Sequence, residues 1–138
     1  MSQSLTLMPG IAEAIRNHGV ETYPNECCGA LIGTEGVVHN IAALPNVTDE
    51  GARRRFRVSD TDYRFVEGEA RRLQQDLLGF YHSHPDHPAR PSQYDLDHAF
   101  PFFWYVIVSI QQARPDAMTV WLLAEDRSEF REALLTQQ

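Results

Sequence analysis

Short runs rich in apolar residues recur along the chain, and they constrain its fold more than any other feature. Each run has seven or eight residues, the usual length of a strand. Gly33 closes the first run, Gly36 opens the second and Pro85 ends the third, as turn residues do at strand ends. The sequence therefore predicts a buried sheet. Its five strands are Cys27–Gly33, Val37–Leu44, Leu77–His84, Phe103–Ile110 and Met118–Ala124.

Three helices are predicted, one before the first of these strands and two between later strands. The first follows an apolar stripe of helical spacing that begins at Met8, Ile11 and Ile15. The second begins at a pair of capping side chains and the third is a short helix between a serine and a proline. The residues that mark the predicted helix ends are Gly19, Ser59, Asp60, Ser92 and Pro101.

Two segments complete the prediction. Residues 55–58 alternate between polar and apolar and predict a half-buried strand. The tail from Ser128 to Leu135 fits neither the helical nor the strand period, so a helix and a final edge strand stay open there. No repeat or linker divides the sequence. We therefore expect residues 1–138 to form one α/β domain with a single mixed β-sheet flanked by helices.

Charge and cysteine content exclude several classes of protein. Twelve basic against nineteen acidic residues give a net charge of −7, and the one basic cluster, residues 53–55, is interpreted as solvated, so no nucleic-acid partner is expected. The strongest apolar run, residues 100–108, is too short to span a bilayer, and no secretory leader is recognised. The only cysteines, Cys27 and Cys28, are neighbours and build no disulfide framework. A cytoplasmic protein without a membrane partner is expected.

A cluster of histidines carries the strongest chemical signal. Three of the six histidines fall between positions 82 and 87. On a strand, His82 and His84 project to the same face, side by side at the strand's end. Two histidines satisfied by ordinary hydrogen bonds are the structural alternative, but the pair with a nearby carboxylate favours a metal site.

Asp95 is the candidate third ligand, presented from the first turn of the short helix. Ser92 and Asp95 also form a Ser-x-x-Asp pattern, in which the serine caps the helix and the aspartate reaches back to its amide. The adjacent histidine pair favours the ligand interpretation. Two histidines, one carboxylate and an open fourth position describe a hydrolytic zinc site, where bound water has a pKa of about 7.

Such a site needs a proton acceptor, and spacing alone does not select one. Glu26 stands beside a buried strand, but eighteen other acidic residues compete with it and a solvated loop carboxylate is the simpler interpretation. Cys27 and Cys28 are interpreted as small packing residues rather than nucleophiles.

Three other classes of protein are alternatives. The spacing His82-x-His84-x-Asp86-His87 is also the signature of the metallo-β-lactamase superfamily, but that fold needs a longer chain and further histidines well downstream. His87 is then a loop histidine near the mouth of the site or a substrate contact. A zinc deaminase requires a Cys-x-x-Cys pair that the sequence lacks. A non-catalytic interaction module remains an alternative, distinguished by its metal content.

Taken together, the motifs resemble the JAMM (MPN+) metalloprotease family, in particular its small prokaryotic JAB-domain members. The resemblance spans nearly the whole chain and implies that family's cytidine-deaminase-like α/β fold. It implies zinc held by His82, His84 and Asp95, Glu26 as general base and Ser92 as donor to the oxyanion. The motifs that carry it are Glu26–Gly29, Ala43–Asn46, Gly79–Pro85 and Pro91–Asp95.

The resemblance also implies a function. A zinc metallopeptidase is expected, cleaving a peptide or isopeptide bond at the glycine-rich C-terminal tail of a ubiquitin-like or sulfur-carrier protein. A chain of 138 residues has no room for the insertions with which larger relatives grip ubiquitin chains, so strict linkage selectivity is not expected.

Overall fold

The computed structural model describes residues 3–47, 58–100 and 102–138, and within these ranges the chain forms seven strands and three helices. In chain order they are β1 (Ser4–Leu7), α1 (Ile11–Thr22), β2 (Cys28–Thr34), β3 (Val37–Leu44), α2 (Asp60–Arg72), β4 (Asp76–Pro85), α3 (Gln93–His98), β5 (Trp104–Gln111), β6 (Arg114–Leu123) and β7 (Phe130–Gln137).

The strands form one mixed sheet in the order β1-β3-β2-β4-β5-β6-β7, closed into a barrel because β1 also pairs with β7. The pairs β1–β3, β1–β7 and β4–β5 are parallel, and the others are antiparallel. The predicted α/β class, a mixed sheet flanked by helices, is confirmed. Closure of the sheet was not predicted.

All five predicted strands are present; β3 has the predicted ends, and the ends of the other four shift by one to four residues. The tail is a strand, β7, and β1 is a strand that the sequence analysis did not anticipate. The predicted strand at 55–58 and the basic cluster at 53–55 lie outside the described residues except for Val58, which is not in a strand.

Helices α2 and α3 begin after Ser59 and Ser92, as predicted. Helix α1 runs on to Thr22, so the prediction that Gly19 ends it is wrong. Gly19 is buried, and a Cβ atom there would lie 2.9 Å from the side chain of Ile110. This glycine therefore permits close packing of α1 on β5 and does not mark a helix end.

Two hydrophobic cores lie on opposite faces of the sheet. Helix α1 packs in the first core, which contains Leu31 and Tyr81, and α2 packs in the second, which contains Ala30 and Phe80. Alternate residues of β4 thus belong to different cores, and His82 and His84 share the face of Phe80. No helix in the described ranges has the length and apolar character needed to cross a bilayer.

Candidate metal centre

Strand β4 brings the two predicted histidines together at its C-terminal end. The Nε2 atoms of His82 and His84 lie 3.1 Å apart, and their ring centroids are 4.9 Å apart. Both side chains are buried, with 1% and 7% of their surface exposed. The i, i+2 spacing therefore gives the side-by-side arrangement that the sequence predicted.

Helix α3 supplies Asp95 to the same point. Its Oδ2 atom lies 3.3 Å from Nε2 of His82 and 3.2 Å from Nε2 of His84, and only 9% of the residue is exposed. The same Oδ2 accepts a 2.8 Å hydrogen bond from the Ser92 amide, and the Asp95 amide donates to Ser92 Oγ at 3.1 Å. The capping box is therefore real, and it fixes the carboxylate that faces the histidines.

These three atoms have the chemistry and spacing of a zinc site. Tetrahedral zinc with bonds of about 2.0–2.2 Å to nitrogen and oxygen holds neighbouring ligand atoms about 3.3–3.6 Å apart. The observed separations of 3.1, 3.2 and 3.3 Å are close to that range before any ion is bound. The residues present therefore fit a zinc ion with three protein ligands and one open position.

A backbone contact orients one of the histidines. Nδ1 of His84 lies 2.9 Å from the carbonyl oxygen of Pro88 and donates a hydrogen bond to it. The lone pair of the neutral imidazole is then left on Nε2, the atom that faces His82 and Asp95. Such outer contacts fix the tautomer of metal-binding histidines.

Glu26 joins the site through strand register. Cys28 pairs with His82, and continuing this antiparallel pairing places Glu26 opposite His84. The Cys27 amide donates to Ser83 Oγ at 2.8 Å, which extends the pairing toward the site. Glu26 is 5% exposed, and one of its carboxylate oxygens and the histidine nitrogens lie within 4.8 Å of one another.

Two carboxylates thus compete for the role of third ligand. Glu26 groups with the histidines within 4.8 Å, whereas the Asp95 oxygen is within 3.3 Å of both Nε2 atoms. The shorter distances match metal-ligand spacing and favour Asp95 as the third ligand.

The protonation of Asp95 and His82 suits metal binding, whereas the raised pKa of His84 means that a metal ion would compete with a proton there. Burial by itself raises the pKa of the Asp95 carboxyl, but the charges and hydrogen bonds of His82 and His84 outweigh burial and hold that pKa well below its ordinary value. Burial lowers the pKa of His82, whereas for His84 the contact with Asp95 overcomes burial and raises the pKa. Asp95 is therefore ionised, as a ligand must be.

Asp86 and His87, which follow the two histidines in sequence, are not part of the candidate metal centre. Asp86 and His87 are exposed, and the Asp86 carboxylate accepts bonds from the Tyr23 hydroxyl at 2.6 Å and the Gln112 amide at 2.8 Å. Asp86 thus ties loops together beyond the end of β4, an arrangement that does not favour the metallo-β-lactamase interpretation.

The two cysteines are buried and free. Burial raises the pKa of Cys27 to about 11 and that of Cys28 to about 12. Both thiols stay protonated near neutral pH, which agrees with the interpretation as packing residues and gives no support to a thiol nucleophile.

A cavity of about 390 Å³ adjoins the metal centre, and we call it the aromatic pocket. Sequence reasoning missed it because its aromatic residues are distant in sequence and follow no single period. Only the recurrence of tyrosine and phenylalanine around α2, α3 and β5 signals it. Its lining residues are Val58, Asp60, Tyr63, Phe80, His82, Tyr94, Asp95, His98, Ala99, Phe100 and Tyr105.

Comparisons with known proteins agree with this geometry. A family model described as prokaryotic homologs of the JAB domain matches residues 9–123. No protein with a curated description matches the sequence. A protein from Salinibacter ruber, solved in solution, is 41% identical; the match covers 97% of this chain and 92% of that one, with a TM-score of 0.76.

Two further solved structures are similar. A protein from Desulfitobacterium hafniense is 28% identical, with 97% of this chain and 92% of that chain covered and a TM-score of 0.84. A structure described as a metalloprotease-like zinc site in the proteasome and signalosome is 18% identical; it shares 97% and 99% of the two chains with a TM-score of 0.59. The last similarity shows the fold alone.

Proposed function

The chain belongs to the family of prokaryotic JAB-domain homologues, and from that premise we propose that it is a zinc-dependent metallopeptidase hydrolysing a peptide or isopeptide bond. One observation carries the proposal. Two histidine nitrogens and a carboxylate oxygen, all buried, meet at 3.1–3.3 Å with a second carboxylate alongside. A structural histidine pair does not need two buried carboxylates.

The roles follow from placement. His82, His84 and Asp95 would hold the zinc ion, which supplies an activated water and polarises the scissile carbonyl. Glu26 accepts the proton of the attacking water and passes it to the leaving amine. Ser92 Oγ already accepts a hydrogen bond from the Asp95 amide, so its hydroxyl hydrogen points elsewhere. That hydrogen donates to the carbonyl oxygen of the scissile bond as negative charge develops there.

The substrate proposed is the glycine-rich tail of a ubiquitin-like or sulfur-carrier protein. Among the described residues, β3 pairs with β1 only at Val37 and Val38, so residues 39–44 have one edge without a strand partner. That edge leads to Asn46, whose amide donates to the carbonyl oxygen of Glu26 at 3.2 Å. An extended tail can add to such an edge, and glycines allow its backbone to pass close to the metal ligands.

The proposal also includes a class of partner and a cellular location. Net charge −7 does not suit nucleic acid or anionic lipid, and a protein partner is proposed. Two free thiols suit the reducing cytoplasm.

Substitution of Glu26 tests the proposal directly. The Glu26→Gln chain should keep about one zinc per chain and lose cleavage of a ubiquitin-like carrier with a C-terminal extension, because glutamine keeps the shape and cannot take the proton. Zinc is measured by elemental analysis and products by intact mass. Glu67→Gln, on the exposed side of α2, is the matched control.

Two results would overturn the assignment. Zinc loss in Glu26→Gln would make Glu26 a ligand rather than a base. A wild-type, zinc-loaded chain that leaves every carrier tail intact would remove the proposed substrate. The non-catalytic alternative predicts no bound zinc in protein purified without chelator.

A further inference from the structure

The aromatic pocket opens directly beside the candidate metal centre. It shares His82 and Asp95 with that centre, and the rest of its wall comes largely from aromatic rings. A cavity of about 390 Å³ exceeds the volume of any single side chain and lies in the range of ligand-binding pockets. A group bound there lies next to whatever the metal centre holds.

Ring-to-ring contacts hold the pocket wall together. The Tyr63 ring lies 5.9 Å from Phe80, 5.7 Å from Phe100 and 6.2 Å from Phe103, in tilted or edge-on geometry. Such aromatic contacts stabilise a defined arrangement of rings. Phe100 is 50% exposed, yet its backbone amide donates a 2.7 Å hydrogen bond to the Tyr105 hydroxyl, which fixes the segment.

Two further polar side chains, Asp60 and His98, line the pocket. Asp60 is exposed in the first turn of α2, where the helix N-terminus favours its charge. The His98 ring stacks on Tyr94 at 4.0 Å and its Nδ1 lies 2.9 Å from the Tyr94 carbonyl oxygen. The interior left between them is apolar, so water there is displaced with a gain in free energy by an apolar group.

We propose that the aromatic pocket binds one large apolar side chain, of the size of leucine to phenylalanine, from the substrate residue next to the glycines at the scissile bond. The pocket then selects substrates, whereas the open edge of β3 holds the backbone without regard to sequence. This inference rests on the proposed function for the identity of the substrate, and its binding test does not require turnover.

A series of blocked peptides tests the pocket. Each places one residue, Gly, Ala, Leu, Phe or Lys, either before or after a Gly-Gly pair, and its Kd is measured by calorimetry on the zinc-loaded Glu26→Gln chain. Burying a Leu or Phe side chain should tighten binding about 10- to 100-fold over glycine on one side of the pair. Equal Kd values for Gly and Phe on both sides would overturn the proposal.

A preference for Lys over Phe would overturn it too, since the rings and Asp60 would then form a cation site. Within the pocket, Phe100→Ala should weaken Phe-peptide binding about 2- to 10-fold and leave Gly-peptide binding unchanged. Phe100→Leu should recover part of the loss. Phe65→Ala, on α2 outside the pocket and 56% exposed, is the matched control and should bind as the parent chain does.

Failure of the two proposals can be told apart. A Phe preference that Phe100→Ala reduces supports the pocket even if wild-type protein cleaves no carrier tail, a result that counts against the proposed function alone. Cleavage of carrier tails at rates independent of the neighbouring residue, with no binding preference, overturns the pocket and leaves the hydrolase standing.

Discussion

Helices α2 and α3 begin with the same local motif and use it differently. Each has a serine N-cap, Ser59 or Ser92, whose Oγ accepts a 3.1 Å hydrogen bond from the amide of an aspartate three residues on. In α2, Ser59 also donates its hydroxyl to Asp62 at 2.9 Å. In α3, the Asp95 carboxylate instead accepts a hydrogen bond from the backbone amide of Ser92 and faces two histidines.

The difference shows that a Ser-x-x-Asp motif specifies a helix start and nothing more. Asp62 is half-buried at a helix end, and Asp95 is buried against His82 and His84. Burial of a charge is costly unless it is paired, and Asp95 is paired because its carboxylate accepts from the Ser92 amide and faces both histidines. The placement of α3 after β4, and not its own sequence, makes Asp95 a candidate ligand.

The aspartates provide the largest expected contrast. Asp95→Asn should lower zinc affinity by more than the roughly 10- to 100-fold that loss of an outer-shell partner costs, because a charged ligand is removed. Asp62→Asn should bind zinc as the wild type does. Competition with a chelator of known affinity measures both. Equal affinities would place Asp95 outside the ligand set.

The serines provide the next contrast, in turnover. Ser92→Ala should lower kcat about 10²- to 10³-fold with zinc retained, if its hydroxyl serves the oxyanion. Ser59→Ala removes the same cap bond and should leave kcat unchanged. Ser92→Asn keeps a capping acceptor without the hydroxyl and should be as slow as Ser92→Ala; an active Ser92→Asn would reduce Ser92 to a cap.

The two serines should contribute equally to the free energy of unfolding. Ser59→Ala and Ser92→Ala should each lower the free energy of unfolding by about 1 kcal/mol, because each loses one N-cap bond. Urea unfolding with a chelator present isolates this effect from metal binding. A much larger loss for Ser92→Ala alone would show that its hydroxyl supports more than the helix start.

The smallest expected effect belongs to Asp62. Asp62→Asn removes a negative charge from the first turn of α2 and should lower the free energy of unfolding by about 0.3–1 kcal/mol at low salt, less at high salt. The salt dependence is the informative measurement. A loss unchanged by salt would point to the Ser59 contact rather than to the helix dipole.

Local patterns predicted much of this molecule. Apolar runs gave the five central strands, and Ser59 and Ser92 marked two helix starts correctly, because these features depend on neighbours in sequence. The i, i+2 spacing of His82 and His84 likewise survives in the structure. The choice of Glu26 needed the resemblance, since its place opposite His84 depends on pairing across 56 residues.

The missed features depend on contacts between distant segments. Strand β1 is four residues long, too short for a period to show, and β7 is half-exposed along most of its length. Their pairing joins Ser4 to Leu134. Gly19 was taken for a helix end because the side chain packed against it, Ile110, is far along the chain.

Closure of the sheet has a consequence for shortened chains. Strand β1 lies near the start of the described residues and β7 near their end, so the second edge of β1 is paired only once residues 130–137 are available. A chain that ends before residue 130 would therefore leave one edge of β1 and one edge of β6 unpaired, and such edges are where chains aggregate.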